Sequence, residues 1–323
     1  MTDISYLQSV VIGLLQGATE LFPVSSLGHS VLVPALIGGS WQHLVTEAAT
    51  QESEASPYLA FIVALHVATA VALLWFFRAD WIRIIGALLH SVRSRRVETA
   101  TERLAWLLVV ATIPVGITGL VLEHVFRTLF AKPLAAAIFL TINGFILLLG
   151  ERLRRRAESP SARHEELEPQ LAAGEGATAL RPLTDGRVGV AAPAARELST
   201  LAYREAVVIG LFQTLALLAG ISRSGITMVA GLARGLDHED AARFSFLLAT
   251  PVILAAGVLK LPSLAGPAGA NIHGQIVVGM LTAGAAAYLS VRFLVRYFET
   301  RTLTPFAIYC LVAGLACVVR FAL

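Results

Sequence analysis

Residues 6–30 (YLQSVVIGLLQGATELFPVSSLGHS) and 203–227 (YREAVVIGLFQTLALLAGISRSGIT) are two versions of one segment, identical at ten of 25 positions when laid together at an offset of 197. The matches include Tyr6 with Tyr203, Gly13 with Gly210, Gln16 with Gln213, Ser25 with Ser222 and Gly28 with Gly225. Apolar low complexity would return Val and Leu by chance, but not Tyr, Gln, Ser and Gly in register. A chain that writes a unit twice is built from two related halves.

What lies between the copies fixes how the halves relate. Charged residues are only 15% of the chain and the mean hydropathy is +0.72, whereas a soluble domain is about a quarter charged. The chain therefore reads as a polytopic membrane protein. A helix needs about 20 apolar residues to cross a bilayer. Six stretches qualify, at 58–77, 104–122, 133–150, 242–262, 273–293 and 303–321. The repeated segments do not. Between Tyr6 and Gly38, Gln16, Glu20, Pro23, Ser25, Ser26 and His29 break the apolar run into two short pieces. Such pieces predict a helix pair that enters the membrane and turns back, surrounded by protein or by a wet cavity.

Basic residues set the orientation. The connection 78–103 carries six, 151–200 carries eight and 292–301 carries three, against none in 38–57, two in 123–132 and none in 263–272. The first set is expected in the cytoplasm and the second outside. Each half is then one re-entrant pair plus three spans, and an odd number of spans inserts the second half upside down. The predicted fold is all-α, an inverted-topology repeat with six transmembrane helices and two re-entrant pairs. Residues 1–150 form the first repeat, 151–200 a flexible cytoplasmic linker rich in Ala, Gly, Pro and Glu, and 201–323 the second repeat.

Several functions are excluded at this stage. The net charge of +3 is spread as an orientation signal and gives no reason to expect nucleic acid. Cys310 and Cys317 lie seven apart in the last apolar stretch, with neither metal-ligand spacing nor a disulfide framework. The N-terminus MTDISYLQ has no basic region ahead of its apolar run, so no removable signal peptide is expected. The run DHED at 237–240 looks metal-like, but acidic residues at a helix start suit the helix dipole. His66 is expected to be a buried polar residue bonded to a neighbouring helix.

The chemistry concentrates at the two breaks. Gln16 and Glu20, four apart, share a helix face. After Pro23, Ser25 or Ser26 can cap the next helix, on which Ser26 and His29 share a face. The second break supplies Ser222, Arg223 and Ser224, with Gly220 and Gly225 permitting tight turns. Hydroxyls, helix N-termini, a guanidinium fork and an imidazole around one cavity are the parts of a phosphate site. In this reading Ser26, or a water in its place, attacks phosphorus and His29 moves the proton. Arg223 neutralises the phosphates, and Gln16, Ser25, Ser222, Ser224 and Gly225 bind them. Glu20, with Gln16, orients His29 or ligates a divalent cation.

On these residues the chain resembles the undecaprenyl-diphosphate phosphatases of the bacitracin-resistance type. Gln16, Glu20, Pro23, Val24, Ser25, Ser26, Gly28 and His29 match that family's first motif, and Gly220, Ser222, Arg223, Ser224 and Gly225 its second. PFAIY at 305–309 is also similar. The resemblance covers nearly the whole chain apart from the linker and the loop 40–56. Gln16 departs from a commoner Glu, Leu27 from a Thr and Ala219 from a Pro. The resemblance implies hydrolysis of undecaprenyl diphosphate to the monophosphate and inorganic phosphate. That would recycle the lipid carrier for peptidoglycan synthesis and confer bacitracin resistance. It also implies a bacterial inner membrane, a site open to the extracytoplasmic side, and Mg²⁺ or Ca²⁺ held by Glu20 and Gln16. Oligomeric state is left open, a homodimer included. The alternative is a polyprenyl-phosphate flippase or transporter using the same phosphate site, since inverted repeats with broken helices also build transporters. The other large lipid-phosphatase superfamily is excluded: no lysine precedes an Arg-Pro at its spacing, and Val229 stands where its histidine would be.

Overall fold

A computed structural model of the chain describes residues 4–50, 57–122, 132–172, 198–265 and 272–323. Every regular element among them is helical. The six apolar runs become α4 (Pro57–Phe76), α6 (Ala100–Val121), α7 (Pro133–Ala172), α10 (His238–Ala265), α11 (His273–Phe298) and α12 (Thr304–Ala322). Each contains a stretch long and apolar enough to cross a membrane.

The broken segments form two hairpins, α1 (Tyr6–Thr19) with α2 (Ser26–Ile37), and α8 (Tyr203–Thr214) with α9 (Arg223–Leu232). At 1.5 Å per residue these helices of 14, 12, 12 and 10 residues reach only about 15–21 Å, short of a hydrocarbon core of about 30 Å. Ser5 starts α1 with a capping box to Gln8. Ser25 and Ser222 cap α2 and α9 through the backbone N–H groups of Gly28 and Gly225. The same serine of the repeat thus starts the second helix of each hairpin.

The repeated glycine sets the hairpins against the spans. A Cβ on Gly13 would lie 2.2 Å from Thr282 Oγ1 and 2.6 Å from the Gly279 carbonyl of α11; a Cβ on Gly210 would lie 2.4 Å from the Ala111 carbonyl of α6. So α1 rests on a span of the second half and α8 on a span of the first. Because backbone cannot give way, Gly13→Ala should cost about 1–3 kcal/mol, seen as a lower Tm of the purified protein.

The basic connections gather at one end of the bundle. Arg103 at the start of α6 donates to the Leu201 carbonyl just before α8, through Nε at 3.1 Å and Nη2 at 2.9 Å. Arg243 bonds Asp80 at 2.7 Å. Glu151 accepts from His238 Nε2 at 2.6 Å and from the Leu303 N–H at 2.7 Å, and Arg154 also bonds His238. Tyr6 packs against Gly274, at the other end. The two hairpins therefore enter from opposite ends. The DHED run has a structural use, since His238 holds Glu151 and the Asp237 and Asp240 carboxylates accept backbone N–H groups.

Three stretches expected as connections carry helix. Residues 39–50, expected in an outer connection, form α3 (Gly39–Thr50). The basic connection 78–103 contains α5 (Arg78–Ser94), on which Ile82, Ile85, Leu89 and Val92 form an exposed stripe; its helical period was hidden behind the arginines. In the stretch expected as a linker from residue 151, α7 runs on to Ala172. The start of that stretch alternates Glu, Arg, Ala and Leu, which are good helix formers. Residues 173–197 lie outside the described residues, as do 51–56, 123–131 and 266–271.

Candidate active site

Asn143 brings the two breaks together. Its Nδ2 donates to the Pro23 carbonyl at 3.0 Å, and its Oδ1 accepts from the Ser222 N–H at 3.0 Å. It is fully buried and stands one residue from the middle of the 23-residue stretch Pro133–Arg155, so the tips meet halfway along the spans. Nothing in the sequence singles it out beyond its being an amide inside an apolar run. Asn143→Ala should leave the buried Ser222 N–H unpaired and the Pro23 carbonyl with only a weak bond from Cys310 Sγ at 3.8 Å. The expected loss is about 2–5 kcal/mol of stability, with lower phosphate release at temperatures where the variant stays folded.

Ser25 adds a second clamp. It holds φ at +71°, a region that costs a non-glycine residue of order 1–3 kcal/mol. Its Oγ accepts from Gly28 N at 3.2 Å and from Gly220 N of the other tip at 3.1 Å. Gly220, at φ +116°, is a glycine because its backbone is in the left-handed region and packs on α7, where a Cβ would lie 2.4 Å from the Ala136 carbonyl.

Ser25, Ser222, Ser224 and Gly225, expected to bind phosphate, are all engaged in bonds within and between the two tips. Ser222 Oγ and Ser224 Oγ lie 3.0 Å apart and both donate to the Phe22 carbonyl, at 3.5 and 3.2 Å. Gly225 gives its N–H to Ser222 Oγ, and a Cβ there would lie 3.2 Å from Pro23 Cβ. These groups are consumed in joining tip to tip. Motif position alone did not separate groups that face a ligand from groups that face the partner hairpin.

Glu20 is the hub of the polar cluster. Its Oε1 accepts from Arg223 Nη2 at 2.9 Å; its Oε2 accepts from Gln16 Nε2 at 3.0 Å and from the Ser26 hydroxyl at 2.5 Å, and lies 3.3 Å from His66 Nε2. Several donors aimed at one buried carboxylate favour its ionised form in the resting site. Arg223 comes from 203 residues away and its second terminal nitrogen, Nη1, is buried without a partner. An unpaired guanidinium N–H costs free energy and marks where an anion would bond.

His66, expected to bond a neighbouring helix, does so at Glu20, which caps the end of α1, and so belongs to this cluster. Its Nδ1 lies 2.8 Å from the Ile62 carbonyl, which can only accept, so Nδ1 carries hydrogen. Its Nε2 faces Glu20, so the pair is satisfied when Nε2 also carries hydrogen, as an imidazolium. The sequence offered one signal, a histidine inside an apolar span.

His29 is placed differently from expectation. Its Nδ1 donates to the Ser25 carbonyl at 2.7 Å, which leaves Nε2 to accept from the Tyr309 hydroxyl, also at 2.7 Å. The rings of His29 and Tyr309 lie nearly parallel. No hydrogen bond joins His29 to Ser26 or to Glu20. The helical spacing does put Ser26 and His29 on related faces of α2. But Ser26 is the first helical residue and turns across the break to Glu20, while the imidazole is drawn to α12. Tyr309, in the PFAIY run, was within reach of the sequence only as part of that motif.

The expected cation site also changes. Both Glu20 oxygens are engaged, one of them by a guanidinium, so Glu20 is poorly suited to ligate a divalent ion. Gln16 Oε1 is buried without a partner and is a hard oxygen of the kind Mg²⁺ and Ca²⁺ prefer. Among the described residues no three His, Cys, Asp or Glu side chains cluster as a cage. The donor set fits an ion whose other ligands come with a phosphate substrate.

Comparison with known proteins gives the family. Residues 9–316 match the family model described as bacitracin resistance protein BacA. The chain is 68% identical to undecaprenyl-diphosphatase 2 of Frankia alni, each chain covered over its whole length. It is 57% identical to the undecaprenyl-diphosphatase of Mycolicibacterium paratuberculosis over 99% of this chain and 98% of that one. It is 42% identical to undecaprenyl-diphosphatase 2 of Burkholderia lata over 97% and 96% of the two chains. With matches that run through both hairpins and all six spans, the chain belongs to the BacA family of bacitracin resistance proteins.

Proposed function

We propose that Ser26 is the nucleophile and Glu20 its proton acceptor, with Arg223 as the cationic clamp on the diphosphate. The chain is an undecaprenyl-diphosphatase: it hydrolyses undecaprenyl diphosphate to undecaprenyl phosphate and inorganic phosphate, a hydrolase reaction that recycles the lipid carrier. The observation that carries the residue roles is the 2.5 Å bond from Ser26 to Glu20 beside a buried, unpartnered Arg223 Nη1.

In the proposed sequence Arg223 Nη1 bonds the terminal phosphate, and the Ser26 hydroxyl, its proton directed at Glu20, presents its lone pairs to phosphorus. The Ser26 Oγ–P bond forms as the bridging P–O bond breaks, and undecaprenyl phosphate leaves as an anion. The Ser26 proton passes to Glu20, whose other partners, Gln16 and His66, keep the carboxyl in place. A water then attacks phosphorus as the Ser26 Oγ–P bond breaks; Glu20 returns its proton to the departing Ser26 oxygen, and the water's protons leave with inorganic phosphate. Little covalent chemistry is asked of the protein in such a transfer, so positioning and charge dominate. His29, locked between Ser25 and Tyr309, fixes the first turn of α2 from which Ser26 projects. A divalent cation, when bound, would neutralise phosphate oxygens and would be held by Gln16 Oε1 together with the diphosphate.

We read the halves 1–150 and 201–323 as an inverted repeat, supported by the exchanged packing of α1 and α8 and by their start at opposite ends. The arginine-rich end is assigned to the cytoplasm of a bacterial inner membrane. The hairpin bearing Glu20, Ser26 and His29 starts from the other end, which supports a site open to the extracytoplasmic side. Purified protein in detergent, with no second compartment, should release phosphate from undecaprenyl diphosphate. A preparation that binds the lipid yet releases none would return the chain to the carrier reading.

A further inference from the structure

At the arginine-rich end, the last turns of α11 and the connection after it form a cleft of about 380 Å³ lined by Arg292, Phe293, Arg296, Tyr297, Thr300 and Arg301. We propose that this cleft binds the phosphate headgroup of an anionic bilayer lipid, separately from the diphosphate site.

Arg292, Arg296 and Arg301 are exposed, and none is joined to a carboxylate among the described residues. Some arginines at this end are engaged, Arg243 by Asp80, Arg103 by the Leu201 carbonyl and Arg154 by His238; these three instead gather around one concavity. Three guanidinium forks around one concavity match a phosphate group, which accepts their N–H bonds in pairs. Such a set left with only water beside it is a local excess of positive charge that an anion relieves.

The walls say that the anion is attached to a lipid. Phe293 is 51% exposed, one position from Arg292, so the cleft is apolar on one side and cationic on the other. That is the division found at the boundary between acyl chains and headgroups. The apolar wall is also preformed. Phe293 stacks on Phe22 with ring centroids 5.9 Å apart and on Tyr297 at 5.6 Å, and Tyr297 packs edge-on against Phe306 at 5.3 Å. The aromatic cluster ties the cleft to the connection between α1 and α2, so binding need not first order its walls. A soluble phosphate would use the arginines but gain nothing from Phe293.

The test is photocrosslinking of the full-length protein in nanodiscs of neutral lipid doped with a photoactivatable phosphatidylglycerol, the adduct being mapped by peptide mass spectrometry. An adduct in the 292–301 stretch is expected, and R292Q/R296Q/R301Q should weaken phosphatidylglycerol binding on the order of 100-fold, each lost arginine contributing about fivefold. The three arginines lie outside the diphosphate site, so phosphate release in neutral detergent should be unchanged in this variant, which also reports that it is folded. If it proves unfolded, the three single glutamine variants carry the measurement, each with a severalfold loss. Equal labelling of the triple variant would overturn the proposal, as would equal labelling by a phosphatidylcholine analogue. Suppression of labelling by equimolar inorganic phosphate would assign the cleft to a soluble anion and overturn the lipid assignment.

Discussion

Ser26→Ala is expected to lower phosphate release from undecaprenyl diphosphate on the order of 10³-fold or more, with the protein still folded. The fold should survive because the Ser26 side chain makes one hydrogen bond, to Glu20. The cap of α2 belongs to Ser25 and the joining of the tips to Ser25, Asn143, Ser222 and Ser224. Glu20 would keep Gln16, His66 and Arg223. Stability and turnover therefore separate in this variant. A phosphoserine at residue 26, trapped by acid quench of the wild type and absent from Ser26→Ala, would give the same answer by a chemical route. Turnover within about tenfold of wild type, a loss too small for removal of a nucleophile, would transfer the attack to a water held by Glu20.

Arg223→Met should have an effect of similar size on turnover, about 10³-fold or more for the loss of a clamp on a transferring phosphoryl group. Unlike the serine variant, it should also destabilise the protein by about 3–5 kcal/mol, because it leaves a buried carboxylate without its guanidinium. The side chains of Arg223 and Glu20 are only 12% and 5% exposed, so solvent cannot replace the lost partner. The two effects can be pulled apart. Adding Glu20→Gln removes the unpaired charge and should restore much of the thermal stability while leaving activity abolished. Recovery of turnover in the double variant would mean that Arg223 serves only as a counter-ion to Glu20. Loss of stability without loss of turnover in Arg223→Met would mean the same.

The comparison of Gly13 with Asn143 shows where reading the sequence works. Gly13 and Gly210 are visible as a repeated pair, and both turn out to be points where a hairpin lies against a span of the other half. Asn143 has no counterpart in the repeat and no motif, yet it bonds both tips. A repeat exposes what each half needs for itself; a residue that serves the junction between halves occurs once and leaves no pattern.

By itself the sequence determined the six spans, the two breaks and the gathering of arginine at one end. These depend on run length, on proline and glycine, and on charge counts, all of which are local to the chain. It also marked Gln16, Glu20, Ser26 and Arg223 as polar groups too costly to place in an apolar run without a use. Only the tertiary structure decided that Ser26 bonds Glu20 while His29 bonds Tyr309, that His66 completes the carboxylate cluster, and that Ser25, Ser222 and Ser224 hold the tips together. Those choices turn on side-chain directions and separations of a few ångströms between helices up to some 280 residues apart along the chain. Helical periodicity assigns a residue to a face and says nothing of which neighbour that face meets.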